Sequence, residues 1–93
     1  MKVEVLYRSA AFRQAAGVQQ EALELEAESL KLGQVLRVLV EKHGEGLKSL
    51  LFTEGKEAFP RCFVLINGSS VRRLDFELAG GDRLELVSFS AGG

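Results

Sequence analysis

Gly80-Gly81-Asp82-Arg83-Leu84-Glu85-Leu86-Val87-Ser88-Phe89-Ser90-Ala91-Gly92-Gly93 reads as a turn, a strand and a thin tail in succession. Gly80-Gly81-Asp82 carries turn chemistry. Arg83 to Phe89 is a strand-like run. Successive strand side chains point to opposite faces, so Leu84 and Leu86 are assigned to the core, and Glu85, Val87 and Phe89 point outward. Ser90 to Gly93 is short and built from small residues. Glycine has no Cβ, so Gly92-Gly93 fits a passage that rejects larger residues and presents a terminal carboxylate to another protein's active site. The plain alternative is a frayed end, because termini are often small and disordered. What decides between them is the fold that precedes the tail.

Working upstream, Arg61 to Ile66 is an apolar strand, with Cys62, Val64 and Ile66 on one face and Phe63 and Leu65 on the other. Asn67-Gly68 is a two-residue hairpin signal, because both central residues of such a turn need positive φ. Val71 lies on the short fourth strand that follows. At the amino end, Val3, Val5 and Tyr7 alternate with Lys2, Glu4 and Arg8, the period of a strand with one buried face; Leu6 interrupts the polar side. Leu23, Leu25 and Ala27 alternate with Glu24, Glu26 and Glu28, a second strand with a solvated acidic face. The polar, alanine-rich stretch from Ser9 to Gly17 joins the two strands, and Gly17 fits a turn.

Between these strand pairs, Val35, Leu36, Leu39 and Val40 recur on one face of a helix. Ser29 is the expected N-cap. Lys42 and His43 fall in the last turn, where positive charge suits the helix dipole, and Gly44 supplies a left-handed stop. Leu47, Leu50 and Leu51 continue with one or two further helical turns, and Thr53 to Pro60 reads as an exposed loop. The predicted order is β-β-α-β-β-β, an α+β domain.

Composition narrows the function. The 93 residues fit one domain, with 46% hydrophobic and 27% charged content and a formal net charge of −1. No global basic field points to nucleic acid. The start, Met1-Lys2-Val3-Glu4, leads into no long apolar run, so neither a signal peptide nor a membrane span is expected, and a cytoplasmic location is. Cys62 is the only cysteine, which precludes an internal disulfide, and its apolar setting predicts a buried, inert thiol. His43, the only histidine, reads as a helix-end residue, not a catalytic base. Gly55-Lys56 lacks the rest of a nucleotide-binding loop. No metal cluster or catalytic carboxylate pair stands out. The chain is not expected to catalyse alone, and the likeliest reacting group is its own carboxyl terminus.

These residues reach a family resemblance. The order β-β-α-β-β-β followed by Gly-Gly resembles the ubiquitin-like β-grasp, and more closely the MoaD/ThiS sulfur carriers. The matching segments are Met1 to Tyr7, the helix end Glu41-Lys42-His43-Gly44, Val64-Leu65-Ile66-Asn67-Gly68 with Val71, Leu78 to Leu86, and Ala91-Gly92-Gly93. Gly80 stands where the family often has Asp, the tail lacks the prolines common in molybdopterin-synthase small subunits, and the Leu47 to Pro60 segment is longer than in thiamine-pathway carriers. The resemblance implies a mixed sheet of about five strands with one main helix on one face, a β-grasp domain over residues 1–89 and a flexible reactive tail over 90–93.

The resemblance also implies a mechanism. A ubiquitin-activator-like adenylyltransferase uses ATP and Mg²⁺ to adenylate Gly93. Persulfide sulfur displaces AMP, and the Gly93 thiocarboxylate is delivered to a second enzyme, with Gly92 letting the tail pass. The carrier itself binds no cofactor or metal. The acceptor it suggests is the molybdopterin synthase large subunit; thiamine, cysteine, tRNA thiolation and tungsten-cofactor pathways are alternatives, as is conjugation to lysines, or a plain interaction domain. A one-helix β-grasp leaves one sheet face uncovered, so Phe63, Leu65, Val87 and Phe89 are expected to form a partner-binding patch, continued by Ser90 and Ala91. Arg61, Arg72, Arg73 and Arg83 are candidates for its rim.

Overall fold

The computed structural model describes residues 1–52 and 62–88. The alternating amino-terminal run forms β1 (Lys2–Tyr7), with Val3, Val5 and Tyr7 buried. It pairs antiparallel with β2 (Gln20–Glu24), Val5 standing opposite Glu21 and Val3 opposite Leu23. The second strand therefore begins and ends earlier than its Leu-Glu alternation suggests. Leu25 and Ala27 lie beyond it and are half-buried.

The connection between β1 and β2 is a helix, α1 (Ala10–Ala16), not the irregular link expected from its polarity. Alanine is the best helix former, and this segment is mostly alanine. Only Phe12 is buried from it, so it shows no apolar period. Gly17 closes it in the left-handed conformation, donating its N–H to the Arg13 carbonyl.

Ser29 is not a helix cap. It belongs to β3 (Ser29–Lys31), which pairs antiparallel with β6 (Glu77–Ala79) as a separate two-stranded sheet. The main helix, α2 (Leu32–His43), starts after Lys31. Its first N–H groups find carbonyls in the chain before β6: Leu32 donates to Phe76 at 2.7 Å and Gly33 to Leu74 at 2.9 Å. A serine cap is therefore not needed there. Leu32, Val35, Leu36 and Leu39 are buried on one face, as the 3.6-residue spacing predicts. Burying a leucine fully contributes about 1.5–3 kcal/mol.

Gly44 ends α2 and starts α3 (Glu45–Leu51), which buries Leu47 and Leu51. Its φ of 94° is positive as expected, but its ψ of −163° lies outside the left-handed helical well, in a region essentially reserved for glycine. The expected Thr53 to Pro60 loop, and Arg61, lie outside the described residues.

The third predicted strand is β4 (Cys62–Ile66), with Cys62, Val64 and Ile66 buried. Asn67 and Gly68 both have positive φ, 51° and 87°, and turn the chain into β5 (Ser69–Ser70). Val71 stands just past this strand, its N–H donating to the Val64 carbonyl at 2.9 Å. The Gly80-Gly81-Asp82 turn leads into β7 (Arg83–Ser88), in which Leu84 and Leu86 are buried. The two turns are stitched together. Asn67 Nδ2 donates to Asp82 Oδ1 at 3.0 Å, and Arg83 N–H donates to Asn67 Oδ1 at 2.9 Å.

The main sheet runs β2-β1-β7-β4-β5. β7 lies parallel to β1 and antiparallel to β4, so the last strand occupies the centre of a mixed sheet. Its inner face meets α2, and the core joins Val3, Val5, Leu84, Leu86, Val64 and Ile66 to the helix leucines. This is the β-grasp architecture.

Candidate functional site

Parallel pairing of β1 and β7 carries both strands toward the same end of the sheet. Tyr7 aligns with Leu86, and Arg8 N–H donates to the Leu86 carbonyl at 2.9 Å. β7 reaches Ser88 at this end. Phe89, Ser90, Ala91, Gly92 and Gly93, the tail and the last member of the expected patch, lie outside the described residues.

The outer face of the sheet is built by strand alternation. Buried Cys62, Val64 and Ile66 turn Phe63 and Leu65 to the opposite side. Phe63 stands opposite Val87, and Leu65 opposite Glu85. Phe63 is 44% exposed, one of two large apolar side chains exposed among the described residues, with Val18. Leu65 and Val87 are half-buried. The structure thus brings Phe63, Leu65 and Val87 onto one face. It adds Leu6, which aligns with Glu85 from β1 and is half-buried. The interruption at Leu6 in the polar side of β1 was the signal for this membership: an apolar residue at an outward position.

Charge on this face is paired. Arg8 Nη1 donates to Glu85 Oε2 at 3.1 Å. Arg83 lies across from Glu4, with 3.8 Å between Nε and Oε1. Of the other arginines expected at the rim, Arg73, in the chain after β5, pairs with Asp75 at 3.6 Å, and Arg72 has interactions of its own. The Arg8–Glu85 pair was not foreseen, since its partners are far apart in sequence.

A second polar cluster sits at the inner edge of the sheet. Glu21, on the inward row opposite Val5, accepts from Tyr7 Oη at 2.6 Å, from His43 Nε2 at 2.5 Å and from Lys42 Nζ. The His43 and Tyr7 rings meet edge to face at 6.0 Å. Burial works against the Glu21 charge, but hydrogen bonds from Lys42, Tyr7 and His43 outweigh it and hold its carboxyl below the usual value. Burial, reinforced by Glu21, pushes the Tyr7 hydroxyl well above its ordinary range. His43 is thus a helix-end residue engaged in fastening β2 to α2. Burial pushes the Cys62 thiol up to about 11, with Arg72 pulling the other way, so at neutral pH Cys62 is a protonated core residue.

Among the described residues no group of His, Cys, Asp or Glu is arranged to hold a metal ion. Among them no helix is long and apolar enough to cross a membrane. The described geometry therefore offers a partly exposed apolar face near the end of β7, and the Glu21 cluster of ionisable groups on the inner side is occupied in structural bonds.

The chain matches the ThiS family over residues 9–93. It is 33% identical over 84 residues to a chain of Archaeoglobus fulgidus named as a sulfur carrier protein, covering 87% of this chain and 94% of the relative. Among solved structures, SAMP1 from Haloferax volcanii superposes with a TM-score of 0.84 at 26% identity, covering the whole of both chains. A Pyrococcus furiosus protein named as molybdopterin converting factor subunit 1 superposes with a TM-score of 0.76 at 32% identity, over 95% of this chain and 97% of that one. The family match spans nearly the whole sequence, the relatives align end to end, and the β-grasp core is shared. This chain belongs to the ThiS family and is a sulfur carrier of the ThiS/MoaD type.

Proposed function

We propose that the carboxyl group of Gly93 is the atom-carrying site, and that this chain supplies sulfur for molybdopterin formation. The observation that carries the reading is the Gly92-Gly93 end lying a few residues in sequence beyond a strand that occupies the centre of a β-grasp sheet. The 32% identity to a molybdopterin converting factor subunit 1 supports the choice of pathway.

In this reading an adenylating enzyme uses ATP and Mg²⁺ to join the Gly93 carboxylate to AMP, releasing pyrophosphate. The terminal sulfur of a persulfide attacks the acyl carbon, and AMP leaves with the bonding electrons. A second thiol cleaves the resulting acyl disulfide, leaving the thiocarboxylate and a new disulfide. The carrier then docks on the sulfur-accepting enzyme, the large subunit of molybdopterin synthase. There two such thiocarboxylates provide the two dithiolene sulfurs of one pterin. Splitting a hard transfer into acyl steps is ordinary covalent catalysis. Four extended residues from Ser90 span about 13 Å, enough to enter a recessed site. Phe63, Leu65, Val87 and Phe89, with Ser90 and Ala91, form the docking surface. A dependence on ATP would be consistent with work in the cytoplasm.

The test is delivery. Thiocarboxylated chain is mixed with a molybdopterin synthase large subunit and its pterin precursor, and the dithiolene product is measured. Formation of product with loss of two thiocarboxylates per pterin is expected. A thiocarboxylate that survives there, but is consumed by a thiazole-, cysteine- or tRNA-modifying acceptor, would move the chain to that pathway. A second reading follows from the similarity to SAMP1, named a small archaeal modifier protein: the same adenylate ends as an isopeptide on lysine. Lysine adducts of Gly93 in cell lysate would identify it.

A further inference from the structure

The main sheet ends in β5 on one side and β2 on the other. β5 is 2 residues long, whereas β2 is 5 and pairs, among the described residues, with β1 alone. In an antiparallel pair, opposed residues alternate between exchanging backbone hydrogen bonds and aiming those groups away from each other. Tyr7 N–H donates to the Gln19 carbonyl at 2.9 Å, and Leu25 N–H to the Met1 carbonyl at 2.8 Å. The register between them puts Glu21 and Leu23 in the same phase, bonded to β1. Gln20, Ala22 and Glu24 therefore aim their N–H and C=O groups at the open edge. Proteins ordinarily blunt such an edge with lysine, proline or a bulge. β2 reads Gln20-Glu21-Ala22-Leu23-Glu24, in unbroken register with β1, and has none of these. At its centre Ala22 offers only a methyl group to screen the backbone. Val18, just before the strand, is 42% exposed.

The guard on this edge is charge. Glu24, Glu26 and Glu28 are exposed and form no ion pair among the described residues; Lys2 stands opposite Glu24 on β1. No lysine or arginine occurs from Gln14 to Leu30. A second copy pairing here would bring one acidic run against another, whereas a basic strand is attracted. The two sides of the edge differ. On the inner side Glu21 is already held by Lys42 and His43, so a base arriving there meets the Lys42 cation. On the outer side Gln20, Ala22 and Glu24 are exposed. We propose that the open edge of β2 is a second binding surface, and that it takes an extended basic segment of another protein as an added strand. The segment carries Lys or Arg at alternate positions, on the side of Glu24, with neutral residues between them. Backbone hydrogen bonds to Gln20, Ala22 and Glu24 hold it, and the acidic residues select it. This surface is separate from the tail and from the apolar face around Phe63.

The test titrates the isotope-labelled full chain with the blocked peptide Lys-Val-Lys-Val-Lys-Val-Lys and follows its backbone amides by NMR. Two control peptides are used: the same residues in the order Lys-Lys-Val-Val-Val-Lys-Lys, and the alternating peptide with glutamate in place of lysine. Saturable shifts and slowed hydrogen exchange are expected at the amides of Gln20, Ala22 and Glu24 with the alternating lysine peptide alone. Ala22→Pro removes an N–H that points away from β1, so β1–β2 pairing survives and binding is lost. The surface variant Glu24→Lys/Glu26→Lys should weaken binding by about 10-fold, and it keeps the test open if Ala22→Pro melts early. Equal binding by the block-ordered peptide would reduce the effect to unspecific charge attraction and overturn the proposal. So would equal binding by the glutamate peptide, or no saturable shift at millimolar peptide. Shifts confined to Phe63, Leu65 and Val87 would move the peptide to the outer face and overturn it as well. Concentration-dependent shifts of Gln20, Ala22 and Glu24 in the chain alone, with a doubled mass in solution, would assign the edge to a second copy and overturn the basic partner.

Discussion

Glu21 lies on an edge strand, yet it accepts hydrogen bonds from three side chains: Tyr7, Lys42 and His43. Hydrogen bonds to charged groups contribute about 1.5–3 kcal/mol each at most, and those here are partly solvated. Glu21→Gln keeps the shape and removes the charge, so it should cost about 1–2 kcal/mol at neutral pH by denaturant unfolding. The Glu21 carboxyl is held below its ordinary value of 4.5, so its stabilisation is complete above that pH and is lost as the pH falls through the folded-state value. The wild type and Glu21→Gln should therefore converge in stability in acid; a gap that stays constant from neutral pH into acid would refute the assignment. Tyr7 has the opposite sign. Its hydroxyl is raised above 10.0, so the stability it provides is present below that pH and is lost as alkali ionises the unfolded chain. His43 as a helix-end residue was readable from its position near Gly44, but its carboxylate partner was not, because Glu21 precedes the Glu-Leu alternation that marks the strand. At the other end of the chain, Gly93→Ala should melt as the wild type does and lose most thiocarboxylate formation. Normal adenylation of that variant would contradict the narrow-passage argument.

The elements that could be read from sequence are those with a local cause. Asn67-Gly68 demands positive φ at two positions, and the chain adopts it there, at 51° and 87°. A Cβ at Gly68 would meet nothing within 4 Å, so Gly68→Ala tests backbone conformation without a clash. It should cost about 1–2 kcal/mol, measured by chemical denaturation; no loss would mean that the turn relaxes to another type. The main helix was likewise legible from Val35, Leu36 and Leu39, and Leu36→Ala should cost about 2–5 kcal/mol through lost burial and a residual cavity. Elements with a tertiary cause were hidden. α1 has one buried anchor, Phe12, and its alanines are too small to mark an apolar stripe, although Ala11, Ala15 and Ala16 are half-buried. β3 and β6 are three residues each and exist because they pair with one another, Leu30 opposite Leu78. Ser29 looked like a cap because its chemistry suits one; pairing with Ala79 took it into a strand.

For the whole molecule, the alternation of the first and last strands already implied a sheet with one covered face, and the family resemblance implied a mixed sheet; that the two strands pair in parallel at its centre was visible only in the structure. The outward positions of Phe63, Leu65 and Val87 followed from alternation alone. Leu6 and the Arg8–Glu85 pair required the strand order, since only the β1–β7 register brings residues so distant in sequence together. The division of labour we propose is that the sheet and its helix hold the fold, the outer face docks, and the tail reacts. Removing Gly92 and Gly93 should leave the melting temperature unchanged while abolishing sulfur loading, which a plain interaction domain would not require. The most direct test of the account is the intact mass of the chain after incubation with ATP, Mg²⁺, the cognate adenylating enzyme and sulfide. A gain matching one oxygen-to-sulfur exchange, located on Gly93 and absent without ATP, is predicted. No gain with an enzyme that demonstrably adenylates Gly93 would contradict a sulfur carrier acting through its terminal carboxylate.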